Sequence, residues 1–293
     1  MRIGPIGYLD YLIVFEACRS RLSDHYFRSR GNTLQILGAY DEKGWGQGIL
    51  LYECRGNQTE LSYLGVRQPG NGVGTALFNF LAEQEQAEGR KILLRANQNS
   101  ESGRILSRMA EKRGFVLKDQ VELFRAGPEV RPRWKAYMEK HGAAILKLLE
   151  EQGFQAVPFT EVGQRLWEQL QDVKSMEFDL SLDPVGVMNG RKGLFNREIS
   201  YLSLKDGQPA AYCLVCQPDA RHYVFEVISA AGRFQDTGVI FQPLALAIDK
   251  VVERSDWQVG FAMYQKNRKA MALSGRMMRS VISVRELQYN YEL

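Results

Sequence analysis

The chain is poor in cysteine and histidine and has no long apolar run. Four cysteines and three histidines are spread over 293 residues. So few cysteines exclude a disulfide framework and make a reducing cytoplasm the expected compartment. None of His25, His141 and His222 has a metal-ligand neighbour four residues on, so no metal site is expected. Cys213 and Cys216 form a lone C-x-x-C inside AAYCLVC, a strand pattern in which a three-residue offset sends side chains to opposite faces. Buried structural thiols are the expectation there. No run approaches a membrane span, and MRIGPIGYLDYL lacks the basic, apolar and small-residue order of a signal peptide. A large excess of one charge sign is missing too, with 38 basic against 34 acidic residues. A net charge of +4 without a long basic stripe argues against a nucleic-acid partner, although a local basic surface is compatible with it.

What is present is ordinary for a globular protein: 45% hydrophobic and 25% charged residues. The length favours two domains of roughly 130–160 residues each. The most informative stretch is LSYLGVRQPGNGVGTALFNFLA, residues 61–82. Tyr63 to Val66 reads as a strand end. Gly70, Gly72 and Gly74 open a loop, and Val73, Leu77, Phe80 and Leu81 recur at helical spacing. Glycines let backbone approach a ligand, and the first helical turn leaves amide N–H groups unpaired at the positive end of the helix dipole. That combination takes an anion such as a phosphate or pyrophosphate. The competing reading is a plain strand-to-helix turn. A P-loop is excluded because Gly74-Thr75-Ala76 carries no lysine, and the spacing G-x-G-x-G is not the G-x-G-x-x-G of a dinucleotide fold.

Residues 8–28 carry apolar residues dense enough for one or two helices, and 35–40, 48–53 and 59–66 read as an antiparallel three-strand meander. After the Gly loop come a helix ending at Gly89, a buried strand at 91–96, a helix capped by Asn99-Ser100-Glu101, and a hairpin-like strand pair over 116–125. This order, with V-x-x-x-G-N-G-V-G-T-A-L at Val66–Leu77 and EKRGFV at 111–116, resembles the GCN5-related N-acetyltransferase (GNAT) superfamily over about residues 1–126.

The resemblance implies an α/β fold with a mostly antiparallel mixed sheet flanked by helices. It also implies acetyl-CoA, or another acyl-CoA, as co-substrate and no metal. Gly65, Val66, Arg67, Gln68, Gly70, Asn71, Gly72, Val73, Gly74 and Thr75 would hold the cofactor, and Val66, with Gly65, would offer the oxyanion donor. The sequence departs from the family at three places. Pro69 stands where Arg or Gln is usual in a loop that is one residue short, so Arg67 or Gln68 would take over. Ala110 stands where a tyrosine often protonates the departing thiolate, and Gly103 replaces the asparagine that usually opens that helix.

Two prolines near 127–133 suggest a boundary, giving domains 1–128 and 129–293, the second opened by a linker helix. The second half echoes the first: strands around an Asp-Gly turn at 198–216, a strand at 223–229, a loop with Gly232 and Gly238, a helix, a strand at 257–264 and a helix opened by Asn267. It resembles a degenerate GNAT copy whose loop has lost its glycine cluster, making the whole a tandem two-domain member.

Acyl transfer needs a base for the amine, an oxyanion donor and an acid for the thiolate. Glu60 is the base candidate, sharing a face with Ser62, Leu64 and Val66 by strand alternation, with Glu53 on the preceding strand. Tyr63 is the acid candidate. Glu226, a carboxylate inside the apolar YVFEVIS, is a substrate-side candidate because burying it alone is costly. Solvent-facing or packing roles are the bland alternatives for each. The expected activity is N-acylation of a primary amine on a small molecule or peptide, by direct attack in a ternary complex. The alternatives are a non-catalytic acyl-CoA-binding regulator and a relative that takes aminoacyl groups from tRNA. A homodimer is compatible with the sequence.

Overall fold

The computed structural model describes residues 1–20, 23–24, 33–171, 178, 188–189, 194–266 and 282–293. The chain forms two compact units, Met1–Val121 with Glu286–Leu293, and Glu122–Arg285.

The first unit runs β1 (Arg2–Pro5), α1 (Tyr8–Ile13), β2 (Leu34–Tyr40), β3 (Gly46–Arg55), β4 (Gln58–Val66), α2 (Val73–Ala87), β5 (Lys91–Asn97) and α3 (Glu101–Lys112). Strand β6 (Val116–Ala126) begins in it and passes into the second unit. In the second unit, α4 (Arg131–Tyr137) continues through a π-helical segment at Met138–Gly142 into α5 (Ala143–Glu151). Then follow β7 (Phe154–Pro158), α6 (Gln164–Gln171), β8 (Tyr201–Lys205), β9 (Gln208–Cys216), β10 (His222–Ala230), α7 (Phe241–Val252) and β11 (Gln258–Tyr264). The last strand, β12 (Val284–Glu292), returns to the first unit.

In the first unit the strand order is β1-β2-β3-β4-β5-β12, antiparallel except for β4 beside β5. Strand β3 is apolar on both faces because both are covered. Leu50 and Tyr52 join Leu77, Phe78 and Leu81 of α2 and Ala110 of α3 in one core. Ile49 and Leu51 join Tyr11 and Phe15 on the α1 side in another. A strand covered on both faces reads as a continuous hydrophobic run, as GILLY does. Helix α2 is anchored by its fully buried Glu85, which accepts hydrogen bonds from Thr59 of β4 and from Arg90 at 2.6 and 2.9 Å.

Ser100 caps α3, its Oγ accepting from the Gly103 amide at 3.0 Å. Gly103 explains a family departure: a Cβ there would lie 1.8 Å from the Asn97 carbonyl oxygen. The helix start presses on the end of β5, and no side chain fits between them. Gly103→Ala is therefore expected to destabilise the protein by about 1–3 kcal/mol, the usual cost of overpacking, read by urea denaturation. An unchanged midpoint would show that the contact yields freely.

The second unit has the strand order β6-β11-β10-β9-β8-β7. Asp206 and Gly207, with φ of 52° and 74°, make the tight turn between β8 and β9 that the Asp-Gly pair demands. Its ground plan repeats the first: an antiparallel meander, a strand with a bulge, a helix, and a parallel partner strand. Cys213 and Cys216 are both buried thiols on opposite faces of β9, Cys213 in the core with α7.

Four expectations change. Strand β1 was not anticipated, since Gly4 and Pro5 disguise a four-residue edge strand. Residues 116–126 form one strand, not a hairpin, because nothing in VLKDQVELFRA reverses the chain. The division between units falls at Val121/Glu122 and not at 128/129, and the last eight residues belong to the first unit. Both follow from strand pairing, which places β12 beside β5 rather than in the half of the sequence that contains it. The helix expected at Asn267 lies outside the described residues.

Candidate active site

Strands β4 and β5 pair in parallel only from Gln58–Leu61 against Lys91–Leu94. Beyond that rung β4 continues to Val66 and β5 to Asn97, so the sheet carries a wedge-shaped opening. A β-bulge creates it. Tyr52 of β3 pairs with Leu61 and Leu51 with Tyr63, leaving Ser62 as the extra residue.

The bulge also re-aims the side chains. Leu61, Leu64 and Val66 all face the α2 and α3 core, whereas Tyr63 packs on the α1 side. Glu60 therefore does not share a face with Leu64 and Val66, as simple alternation had implied. It sits opposite Glu53 across the β3–β4 ladder and ion-pairs with Arg95 of β5 at 3.5 Å. Glu53 is buried and paired with Arg55 at 2.7 Å. Tyr63 donates its hydroxyl to the Cys18 carbonyl at 3.0 Å. The same carbonyl oxygen would be 2.2 Å from a Cβ on Gly65, so the short turn Glu16–Cys18 closes tightly over β4.

Backbone direction decides which amides face the opening. The Arg67 N–H donates to Gln47 on the β3 side at 2.8 Å. Successive strand residues point their N–H groups to alternate edges, so Val66 and Leu64 direct theirs toward the parted β5 edge, and Gly65 directs its own toward β3. Val66 is thus the open-edge donor of the expected pair.

The loop after β4 is solvent-exposed from Arg67 to Gly72. Gly70 and Gly72 have φ of 92° and 74°, and nothing lies within 4 Å of where a Cβ would project. Gly72 caps α2 without any side-chain bond, and the first helical rung is Ala76 N–H to Gly72 O at 2.9 Å. The amides of Val73, Gly74 and Thr75 lie in the first turn ahead of that rung, at the positive end of a fifteen-residue helix. Asn71 Nδ2 bonds Gln68 Oε1 at 3.1 Å, bracing the loop from within. Arg67 is exposed and adds charge; it also opposes the burial that pushes the Cys18 thiol up.

From Thr75 a groove of about 420 Å³ runs between α2 and α3, lined by Phe78, Asn79, Met109, Arg108, Lys112 and Arg113 among others. Sequence reasoning missed these basic residues. The signal was there, because Arg104, Arg108 and Lys112 recur every fourth residue and so share one face of α3. Ala110, the other family departure, is fully buried in the core against which Phe115 and Leu77 pack, where a tyrosine ring has no room.

The second unit repeats the bulge but not the loop. Phe225 and Val227 of β10 pair with Val215 and Leu214, leaving Glu226 as the extra residue, in the place of Ser62. Its parallel ladder with β11 spans only His222–Val224. Ahead of α7, however, the chain coils into a short helix at Gly232–Thr237. Phe241 and Gln242 are buried, and their amides donate to Gly238 and Val239 carbonyls at 2.9 and 3.0 Å. That helix start offers no open cradle. Glu60 and Tyr63 thus lie on β4 of the first unit, the strand that leads into the glycine loop, and Glu226 lies on β10 of the second. Among the described residues no cluster of His, Cys, Asp or Glu forms a metal-binding group.

No protein-family model matches the chain, and no curated protein matches it. Solved structures do. A tandem GNAT protein from the clavulanic acid biosynthesis pathway aligns over all of this chain and 98% of its own, at 12% identity and a TM-score of 0.59. A GCN5-related N-acetyltransferase from Sphaerobacter thermophilus aligns over 100% of this chain and 95% of its own, at 12% identity and a TM-score of 0.64. The GCN5-related glucosamine N-acetyltransferase region of a fungal multi-domain beta-N-acetylglucosaminidase aligns over 99% of this chain, which spans 38% of that longer chain, at 12% identity and a TM-score of 0.63. At such identity the likeness is one of fold. The chain has the tandem GNAT fold.

Proposed function

We propose that the protein is an acetyl-CoA-dependent N-acyltransferase whose first unit binds the acyl-CoA and transfers the acyl group to a primary amine. One observation carries this reading: an exposed helix N-terminus, opened by two left-handed glycines, stands at the mouth of a wedge between parallel strands. The pyrophosphate meets the amides of Val73, Gly74 and Thr75, with Arg67 adding charge. The pantetheine arm fills the wedge, its amides pairing with the free edge of β4. The nucleotide end follows the basic groove toward Arg108 and Lys112.

In the ternary complex the amine nitrogen attacks the thioester carbonyl directly. The Val66 N–H stabilises the oxyanion, and Glu60, on the α1 face of the sheet two residues short of where β4 and β5 part, takes the amine proton through water. The acceptor is a small molecule or a peptide amine. All four cysteines are free thiols, which fits a reducing cytoplasm.

Calorimetric titration of acetyl-CoA and CoA tests the site. Micromolar binding, about −8 kcal/mol, is expected for the wild type. Gly72→Glu should abolish it, because the new side chain strains a φ of 74° and its carboxylate repels the pyrophosphate. No binding to the wild type would leave the loop a plain turn. The buried Ala110, which offers no proton to a thiolate, favours a second reading as a non-catalytic acyl-CoA-binding regulator. Amine-dependent release of CoA separates the two.

A further inference from the structure

Breaking the C–S bond of a thioester leaves a thiolate, and a positioned acid speeds that step. The hydrophobic core against the wedge includes three tyrosines, Tyr52, Tyr289 and Tyr291. Tyr52 is buried and sits opposite Leu61, the last residue of the β4–β5 ladder. Tyr291 is also buried, pairs with Leu94 at that same rung, and gives its hydroxyl to Glu111 at 2.8 Å. Neither is level with the opening.

Tyr289 differs on each count. It pairs with Ala96, two residues past the last paired rung and level with the parted stretch of β4. Its ring packs on the α2 and α3 face of the sheet, the face shared by Leu64 and Val66. Ala96, its partner on the intervening strand β5, carries only a methyl group. The residue is half-buried, its ring 6.3 Å from that of Tyr291, and its hydroxyl has no hydrogen-bond partner among the described residues. That hydroxyl is not among the buried unsatisfied groups, so it is open to solvent and free to donate to a ligand entering the wedge.

We propose that Tyr289, carried by the last strand of the chain, is the acid that protonates the departing CoA thiolate; this rests on the acyltransferase reading above. The amine nitrogen bonds to the carbonyl carbon and the oxyanion collapses. The C–S pair goes to sulfur, and sulfur takes the Tyr289 proton to give the thiol. The phenolate recovers a proton from solvent, which holds the one released by the amine. One proton in all passes from nitrogen to sulfur. Tyr289 thereby fills the role that Ala110 leaves empty, from a strand nearly 180 residues further along the chain.

The test uses the full chain, Tyr289→Phe, and Tyr291→Phe as control. Calorimetry comes first: if wild type binds neither acetyl-CoA nor CoA, the acyltransferase reading falls and this inference with it. If wild type binds, Tyr289→Phe should bind acetyl-CoA with unchanged Kd and melt at the wild-type temperature. The thiol of bound CoA, followed by thiolate absorbance, should then titrate about one pH unit higher than in wild type, since a hydrogen bond that favours the anion is gone. Acyl transfer to hydroxylamine should fall about 10²-fold or more with acetyl-CoA, and recover with an acetyl thioester of a more acidic thiol. Tyr291→Phe should leave the thiol titration unmoved. Identical thiol titration and identical rates in Tyr289→Phe and wild type would overturn the assignment while sparing the CoA site.

Discussion

Deleting residues 286–293 is expected to unfold the first unit and abolish acyl-CoA binding, although the deletion lies more than 200 residues from the glycine loop. Strand β12 supplies five register pairs to β5, from Gln288 opposite Asn97 to Glu292 opposite Leu93. Leu293 exchanges two backbone hydrogen bonds with Ile92, at 3.1 and 3.3 Å. The Asn97 amide reaches Glu286 at 2.9 Å, and Lys91 pairs with Glu292 at 3.1 Å. Tyr291, 2% exposed, fills the core between β5 and α3. Truncating one such aromatic costs about 3–5 kcal/mol, and each lost ladder bond about 1 kcal/mol more. Their sum rivals the whole stability of a typical domain, about 5–15 kcal/mol. A thermal melt with and without acetyl-CoA checks this. A truncated chain that melts within a few degrees of the full one and still binds would make β12 dispensable.

Arg90→Ala is the second large effect. Glu85 is wholly buried, and its carboxylate is held by Thr59 and by two hydrogen bonds from Arg90 at 2.6 and 2.9 Å. Burial pushes this carboxyl up, but the Arg90 and Thr59 hydrogen bonds and the Arg90 charge outweigh it, so it sits below its ordinary value. Removing Arg90 leaves a buried, uncompensated charge and should cost about 3–5 kcal/mol near neutral pH.

The pH dependence separates the two proteins. In wild type the depressed carboxyl contributes stability that is present above its unfolded value and lost as pH falls through the folded one. In the variant the sign reverses. Burial without Arg90 raises the folded carboxyl above the unfolded value, so acidification protonates it and reduces the penalty. The gap between variant and wild type should therefore shrink as pH drops from neutral toward the ordinary carboxylate range. Urea denaturation at a series of pH values reads this directly, and a gap independent of pH would show that Arg90 acts by packing alone.

How much of this could be read from the residues depends on the range of the interactions involved. The loop of Gly70 and Gly72 was legible because left-handed backbone and helical periodicity are local. The Asp206-Gly207 turn and the Ser100 cap were legible for the same reason. Glu60 was placed on the wrong face because the bulge at Ser62 exists only in the register with β3, where one unpaired residue flips every later side chain. The basic groove needed two helices to meet, although the spacing of Arg108 and Lys112 already marked one wall. Gly103 and Ala110 stood out as departures; their cause lay in contacts with Asn97 and the α3 core.

The sequence by itself determined most of the element order, the glycine turn ahead of α2, the doubled plan and the tandem GNAT resemblance, because each rests on local patterns of turns and periodicity. Tertiary structure alone decided that the chain's last strand completes the first unit. The alternation in VRELQYNYE shows a strand with a core face, but any strand edge of matching length could accept it. Its partner was chosen by where Tyr291 could be buried and where β5 had an edge to fill.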